Sequence, residues 1–175
     1  MTESQLLDLI FAPWSMCALF AACRLRVFTL LTDRALSGAE LAGRTRAASP
    51  ILTTLLDACV GMGLLRLDRG LYSNSHISDA YLVEGRPRYL GDLIRVQVAE
   101  AADWQRLYNV ITNTASEDVA AASQEGDPRQ FTLAMHNIDM LSEAEALAAA
   151  VDLSAARRMV DVGCGSGMYS VAVTV

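Results

Sequence analysis

The residues best suited to chemistry stand near the end of the chain, where Asp161 is followed by Gly163, Cys164, Gly165, Ser166 and Gly167. Glycines at every second position let the backbone take positive φ and let a ligand approach where a Cβ would stand in the way. Residues from Met168 onward can open a helix, whose first N–H groups lack intrahelical partners and are free for a ligand. Asp161 adds a carboxylate beside that turn, an acceptor for amino or hydroxyl donors. A second set lies upstream. Phe131 and Met135 are one helical turn apart, as in an ordinary core, with His136 next to them. His136 suits a helix cap or the surface; His76 reads as a surface residue. Cys17, Cys23, Cys59 and Cys164 form no CxxC pair and have no histidine at ligand spacing, so no metal site is expected.

Most of the elements that must position these residues are helical. Ser4–Ala22 predicts a helix that is kinked or begun afresh near Pro13, and Cys23–Leu31 a second. Ser37 with Glu40 three residues on has capping-box spacing. Ser49 as N-cap and Pro50 at the first helical position start another helix, with Ile51, Leu52, Leu55, Leu56, Cys59 and Val60 on one face. Leu64–Leu67, the turn Asp68-Arg69-Gly70 and Leu71–Asn74 predict a hairpin. Two short helices followed by a hairpin form a winged-helix pattern. DNA binding requires the second helix to read the major groove, yet that helix carries Asp57 and no basic residue.

Helical pattern returns over Ile77–Asn113, broken once at Pro87, with Tyr81, Leu82, Tyr89, Leu90, Leu93, Ile94, Val98, Trp104, Leu107 and Ile111 on the expected buried side. Residues 115–127 are small, acidic and aperiodic, and predict a loop. Asp127 and Pro128 fit the N-cap and first position of the helix that holds Phe131, Met135 and Ile138; a further helix spans Ser142–Val151. Arg158–Val162 then predicts a short apolar strand ahead of the glycine turn.

Composition narrows the class. A chain of 175 residues that is 53% hydrophobic and 19% charged folds rather than staying disordered. All 14 basic residues are arginine, against 20 acids, and a net charge of -6 argues against a nucleic-acid partner. Leu6–Cys23 approaches the length of a membrane span, but Asp8, Pro13 and Ser15 interrupt it and Arg24 and Arg26 follow. A helix apolar on most of its surface must be buried on most of its surface. Burial between two subunits explains it better than the core of a monomer. The absence of a basic leader and the cysteine usage predict a reducing, cytoplasmic compartment.

Val160-Asp161-Val162-Gly163-Cys164-Gly165-Ser166-Gly167 resembles motif I of class I S-adenosylmethionine (SAM)-dependent methyltransferases. The GxGxG spacing, with an aspartate two residues ahead, favours this form over the dinucleotide GxGxxG. The preceding chain resembles the small-molecule O-methyltransferases of the hydroxyindole and caffeate type. The landmarks are Glu40-Leu41-Ala42, Gly63-Leu64-Leu65, Gly70-Leu71-Tyr72, Tyr81-Leu82-Val83, Gly85-Arg86-Pro87 and Phe131–Met135, in that order.

The resemblance implies a mainly α chain: a helical, winged-helix-like dimerisation domain over 1–113, linker helices lining the acceptor pocket over 114–157, and over 158–175 the first β-strand and part of a helix of a Rossmann-like methyltransferase domain. It implies SAM along Asp161, Gly163, Cys164, Gly165, Ser166 and Gly167. Phe131, Met135 and His136 are then pocket residues, with a small-molecule acceptor and a homodimer formed through the N-terminal helices. The family's general base lies downstream of motif I, so no catalytic residue is assigned. One strand and part of a helix cannot bury both faces of a parallel sheet. Met159–Val175 is therefore expected to be disordered, rearranged or packed on something else, in a chain that ends mid-element and has no turnover alone. Two other functions use the same features: a dimerisation or regulatory module without catalysis, and a methyltransferase-like fold turned to another reaction.

Overall fold

The computed structural model describes residues 1–104, 106–112, 127–139 and 143–174. The chain divides into two compact units, Met1–Gly91 and Asp92–Val175. The predicted loop at 115–127 lies, except for Asp127, outside the described residues.

The first unit begins with α1 (Glu3–Arg24), which starts earlier than its sequence suggests. Thr2 and Gln5 form a capping box there, the Thr2 hydroxyl accepting from Gln5 N while the Gln5 side chain accepts from Thr2 N. The helix runs as one element through Pro13 and is not begun afresh there. Proline removes one backbone donor, and the ladders on either side of it continue through the 22-residue helix. Among the described residues α1 is long and apolar enough to cross a membrane by length and composition alone. Leu6, Leu7, Leu9, Ile10, Phe11, Trp14 and Met16 are exposed along it.

A left-handed Arg26 turns the chain into α2 (Val27–Leu30), shorter than the predicted Cys23–Leu31. β1 (Leu36–Ser37) and α3 (Gly38–Thr45) follow. The Ser37–Glu40 capping box forms as its spacing indicates, and the Ser37 hydroxyl and amide hold the Glu40 carboxyl below its ordinary value. In α4 (Ser49–Gly61) the N-cap is Ala48 rather than Ser49, and Pro50 sits in the first turn, where its missing N–H costs nothing. Leu52, Leu56 and Cys59 form its buried face, while Ile51 is exposed.

β2 (Leu65–Asp68) and β3 (Leu71–Asn74) pair antiparallel, and β1 joins the other edge of β3, giving the order β1-β3-β2. The connecting pair Arg69 and Gly70 both take positive φ, as a two-residue hairpin turn demands. Helix pair and three-stranded sheet make the winged-helix arrangement. Its core is Val27, Phe28, Leu41, Leu52, Leu56 and Cys59, closed by the Tyr72 hydroxyl, which donates to Asp57 Oδ1 at 2.7 Å. α5 (His76–Tyr81) caps on Ser75 and leaves His76 exposed, as expected. Asn74 Nδ2 donates to Phe28 O, and Glu84 takes Thr29 Oγ1 through its amide and Arg26 through its carboxylate at 2.7 Å. These contacts fasten the end of β3 and the segment after α5 to α2 and its N-cap.

The second unit contains α6 (Gly91–Trp104), α7 (Leu107–Ile111), α8 (Pro128–Asp139), α9 (Glu143–Ala150) and α10 (Met168–Ala172). Ile94 is buried and Leu93 half-buried, but Trp104, Leu107 and Ile111, expected inside, are exposed. Hydrophobic spacing marks a face that needs a partner, and among the described residues of this unit nothing covers that face.

Candidate functional site

Arg158–Val162 carries the sequence of a strand but is not one: no ladder forms there, and Val160 and Val162 are 84% and 93% exposed. Strand residues need neighbouring strands to satisfy their backbone groups, and among the described residues none lies beside this segment. It is α10 that contacts α9, and a cleft of about 260 Å³ forms among Leu147, Val151, Met159, Asp161, Tyr169 and Ser170. Of the alternatives expected for residues 159–175, packing on another element is observed for α10, while residues 159–165 are exposed.

The glycine turn itself has the predicted backbone. Gly163, Gly165 and Gly167 have φ of 82°, 52° and 76°, a region that L side chains enter only at a cost. Gly167 N donates to Cys164 O at 2.7 Å and closes the turn, and α10 follows at once with Gly167 as its left-handed N-cap. Asp161, Gly163, Cys164 and Gly165 are exposed, while Ser166 and Gly167 are half-buried. Asp161 accepts a hydrogen bond through Oδ2 from the Ser170 hydroxyl, and Tyr169 donates to Glu143 Oε2 of α9 at 3.1 Å. Neither tie was visible in the sequence, because each joins residues that the turn and the helix bring together.

The second predicted set sits on α8. Its N-cap is set by Asp127, whose Oδ1 accepts from Arg129 N at 3.0 Å. Phe131 is 51% exposed, and Met135 and His136 are half-buried. At about 100° per residue, Phe131 and Met135 share a stripe while His136 stands about 100° further round from Met135. The buried side of α8 is Ala134 and Asn137. Asn137, passed over in the sequence, accepts from Leu93 N through Oδ1 at 3.1 Å. It thereby satisfies one of the unpaired first-turn donors of α6 and fixes α8 against it.

A helix pair with a small wing, a long apolar leading helix and a glycine loop further along define a class. Residues 7–84 match the family model described as O-methyltransferase dimerisation domain. The chain is 32% identical over 169 residues to 3-hydroxy-5-methyl-1-naphthoate 3-O-methyltransferase of Streptomyces sahachiroi, a match covering 93% of this chain and 49% of that protein. It is 30% identical to N,N-dimethyltransferase OxyT of Streptomyces rimosus, over 98% and 53% respectively. Among solved structures, human N-acetylserotonin methyltransferase in complex with SAM is similar with a TM-score of 0.85 at 25% identity, covering 99% of this chain and 56% of that one. The chain spans about half the length of the curated relatives it matches.

Proposed function

We propose that this chain is the N-terminal part of a SAM-dependent O-methyltransferase that works as a homodimer on a hydroxyl of a small aromatic or polyketide-like molecule. The carrying observation is the loop of three left-handed glycines between Asp161 and α10. A Cβ built on Gly163 or Gly167 meets nothing within 4 Å, so those faces of the loop are open to a ligand. The Asp161 carboxylate suits the amino group of the cofactor's methionine part, and successive loop N–H groups suit its carboxylate. The residues therefore fit SAM, which when bound supplies an electrophilic methyl group on its sulfonium.

Asp161, Gly163, Cys164, Gly165, Ser166 and Gly167 bind and orient the cofactor in this scheme. Phe131, Met135 and His136 line the acceptor pocket and exclude water, and rate comes from proximity and desolvation together with a base outside these residues. The functional division runs as 1–113 for dimerisation, 114–157 for the acceptor side and 158–175 for the start of the cofactor domain. Similarity to an N,N-dimethyltransferase supports a second version in which the acceptor atom is nitrogen.

The homodimer rests on α1, whose exposed apolar side chains border a groove of about 520 Å³ lined by Phe11, Met16, Leu19, Met62 and Leu64. Covering such a face removes apolar area from water at about 25 cal/mol per Å². Cys17, Cys23, Cys59 and Cys164 form no disulfide, which supports a cytoplasmic location. Calorimetric titration with S-adenosylhomocysteine tests the proposal without an acceptor. Saturable binding at about micromolar strength is expected. Absence of binding would leave a dimerisation module whose glycine loop does not take the cofactor.

A further inference from the structure

We infer that Ser170 is a positioning residue for the glycine loop: its hydroxyl ties Asp161 to α10 and so closes the loop across its two ends. This inference rests on the cofactor proposal for its purpose, though the tie itself is a feature of the fold.

Glycine has the largest backbone freedom to lose, and a loop with glycine at 163, 165 and 167 does not hold a shape through its own side chains. Within the loop, the bond from Gly167 N to Cys164 O fixes the turn but not the approach from Asp161. The Ser170–Asp161 bond spans that gap, joining residues nine apart on either side of all three glycines. It is a hydroxyl donating to a carboxylate, a stronger type than a neutral pair. Asp161 and Ser170 also line one cleft together with Tyr169. The adjacent hydroxyls of α10 have separate tasks: Tyr169 holds the helix to Glu143 of α9, and Ser170 holds the loop to the helix. Only one Asp161 oxygen, Oδ2, is taken by Ser170, which leaves Oδ1 to accept from a ligand's amino group while the carboxylate stays in place.

The test compares wild type, Ser170→Ala and Ser170→Thr by amide hydrogen exchange at residues 163–168, then by S-adenosylhomocysteine titration. The expected result is exchange about threefold to tenfold faster in Ser170→Ala, with a matching loss of affinity, and both restored in Ser170→Thr, which keeps the hydroxyl. Exchange at 163–168 that is the same in Ser170→Ala and wild type overturns the inference, whatever the ligand does. Faster exchange that Thr does not restore overturns it too, since the hydroxyl would not be the cause. Faster exchange restored by Thr, in a protein whose wild type does not bind S-adenosylhomocysteine, supports the tie and sinks the cofactor proposal instead.

Discussion

The two compact units meet the same demand, burial of apolar side chains, with opposite success. In Met1–Gly91, helices and wing enclose Val27, Phe28, Leu41, Leu52, Leu56 and Cys59 almost completely, and the main apolar surface left over is α1, exposed on all sides over residues 3–17. In Asp92–Val175 few large side chains are buried, and Val160 and Val162, the residues of a would-be strand, stand in solvent. A winged-helix unit closes on itself because its sheet of three short strands is covered by the helices next to it in sequence. A parallel sheet needs strands that are distant in sequence, and a single strand segment gains nothing by extending alone. The chemistry-bearing loop therefore sits on the unit that relies most on what lies around it.

Core truncation separates the units most strongly. Phe28→Ala should cost about 3–5 kcal/mol in a denaturant titration, because Phe28 is fully buried, whereas Val162→Ala should stay within about 0.5 kcal/mol. Comparable losses would mean that residues 158–162 are packed in solution and the contrast is false. Next comes the leftover surface of the first unit. Trp14→Glu, at a side chain 71% exposed, should weaken self-association by about 2 kcal/mol or roughly thirtyfold in sedimentation equilibrium, with the melting of the isolated subunit unchanged. Association indifferent to Trp14 would move the interface off this part of α1.

Glycine substitutions sharpen the comparison at smaller scale, with opposite signs in the two units. Gly167→Ala places a side chain at φ 76°, where space is open but the backbone is strained, and should cost roughly 1–2 kcal/mol of loop stability, about tenfold in S-adenosylhomocysteine affinity. Gly43→Ala in α3 meets open space at an ordinary helical φ and should stabilise by about 0.5–1 kcal/mol in thermal melting.

The smallest effect is in alkali and belongs to the first unit alone. Burial, with the hydrogen bond to Asp57, pushes the Tyr72 hydroxyl from 10.0 up to about 12, and burial pushes the Cys59 thiol from 9.0 to about 11. Both pKa values are raised on folding, so the unfolded state ionises first. Their stabilisation is complete below the lower value and drains as pH rises through the upper one. Melting of the first unit should fall from pH 9 to 12, and Tyr72→Phe should flatten the part above about pH 10. An unchanged slope in that variant would place the titration elsewhere.

Features set by neighbours in sequence were legible beforehand. The Ser37–Glu40 capping box, the Arg69–Gly70 turn and the three left-handed glycines depend on contacts within a few residues, and each formed where its spacing placed it. Pro13 did not end α1: its fixed φ is compatible with a helix, and the backbone ladders before and after it are retained. The segment 158–162 does not pair as a strand, since a strand is a property of its partners as much as of its residues. Asn137 on Leu93 and Ser170 on Asp161 were invisible, as no local pattern announces a hydrogen bond made across a fold.

The central claim is that the ligand belongs to the second unit's loop and not to the closed first unit. Photolabelling with methyl-tritiated SAM tests it directly, because no lysine or arginine stands between Met159 and Val175 and trypsin therefore releases the whole loop in one peptide beginning at Met159. The account predicts label in that peptide, displaced by S-adenosylhomocysteine; specific label confined to peptides of Met1–Gly91, or none in the peptide from Met159, would contradict it.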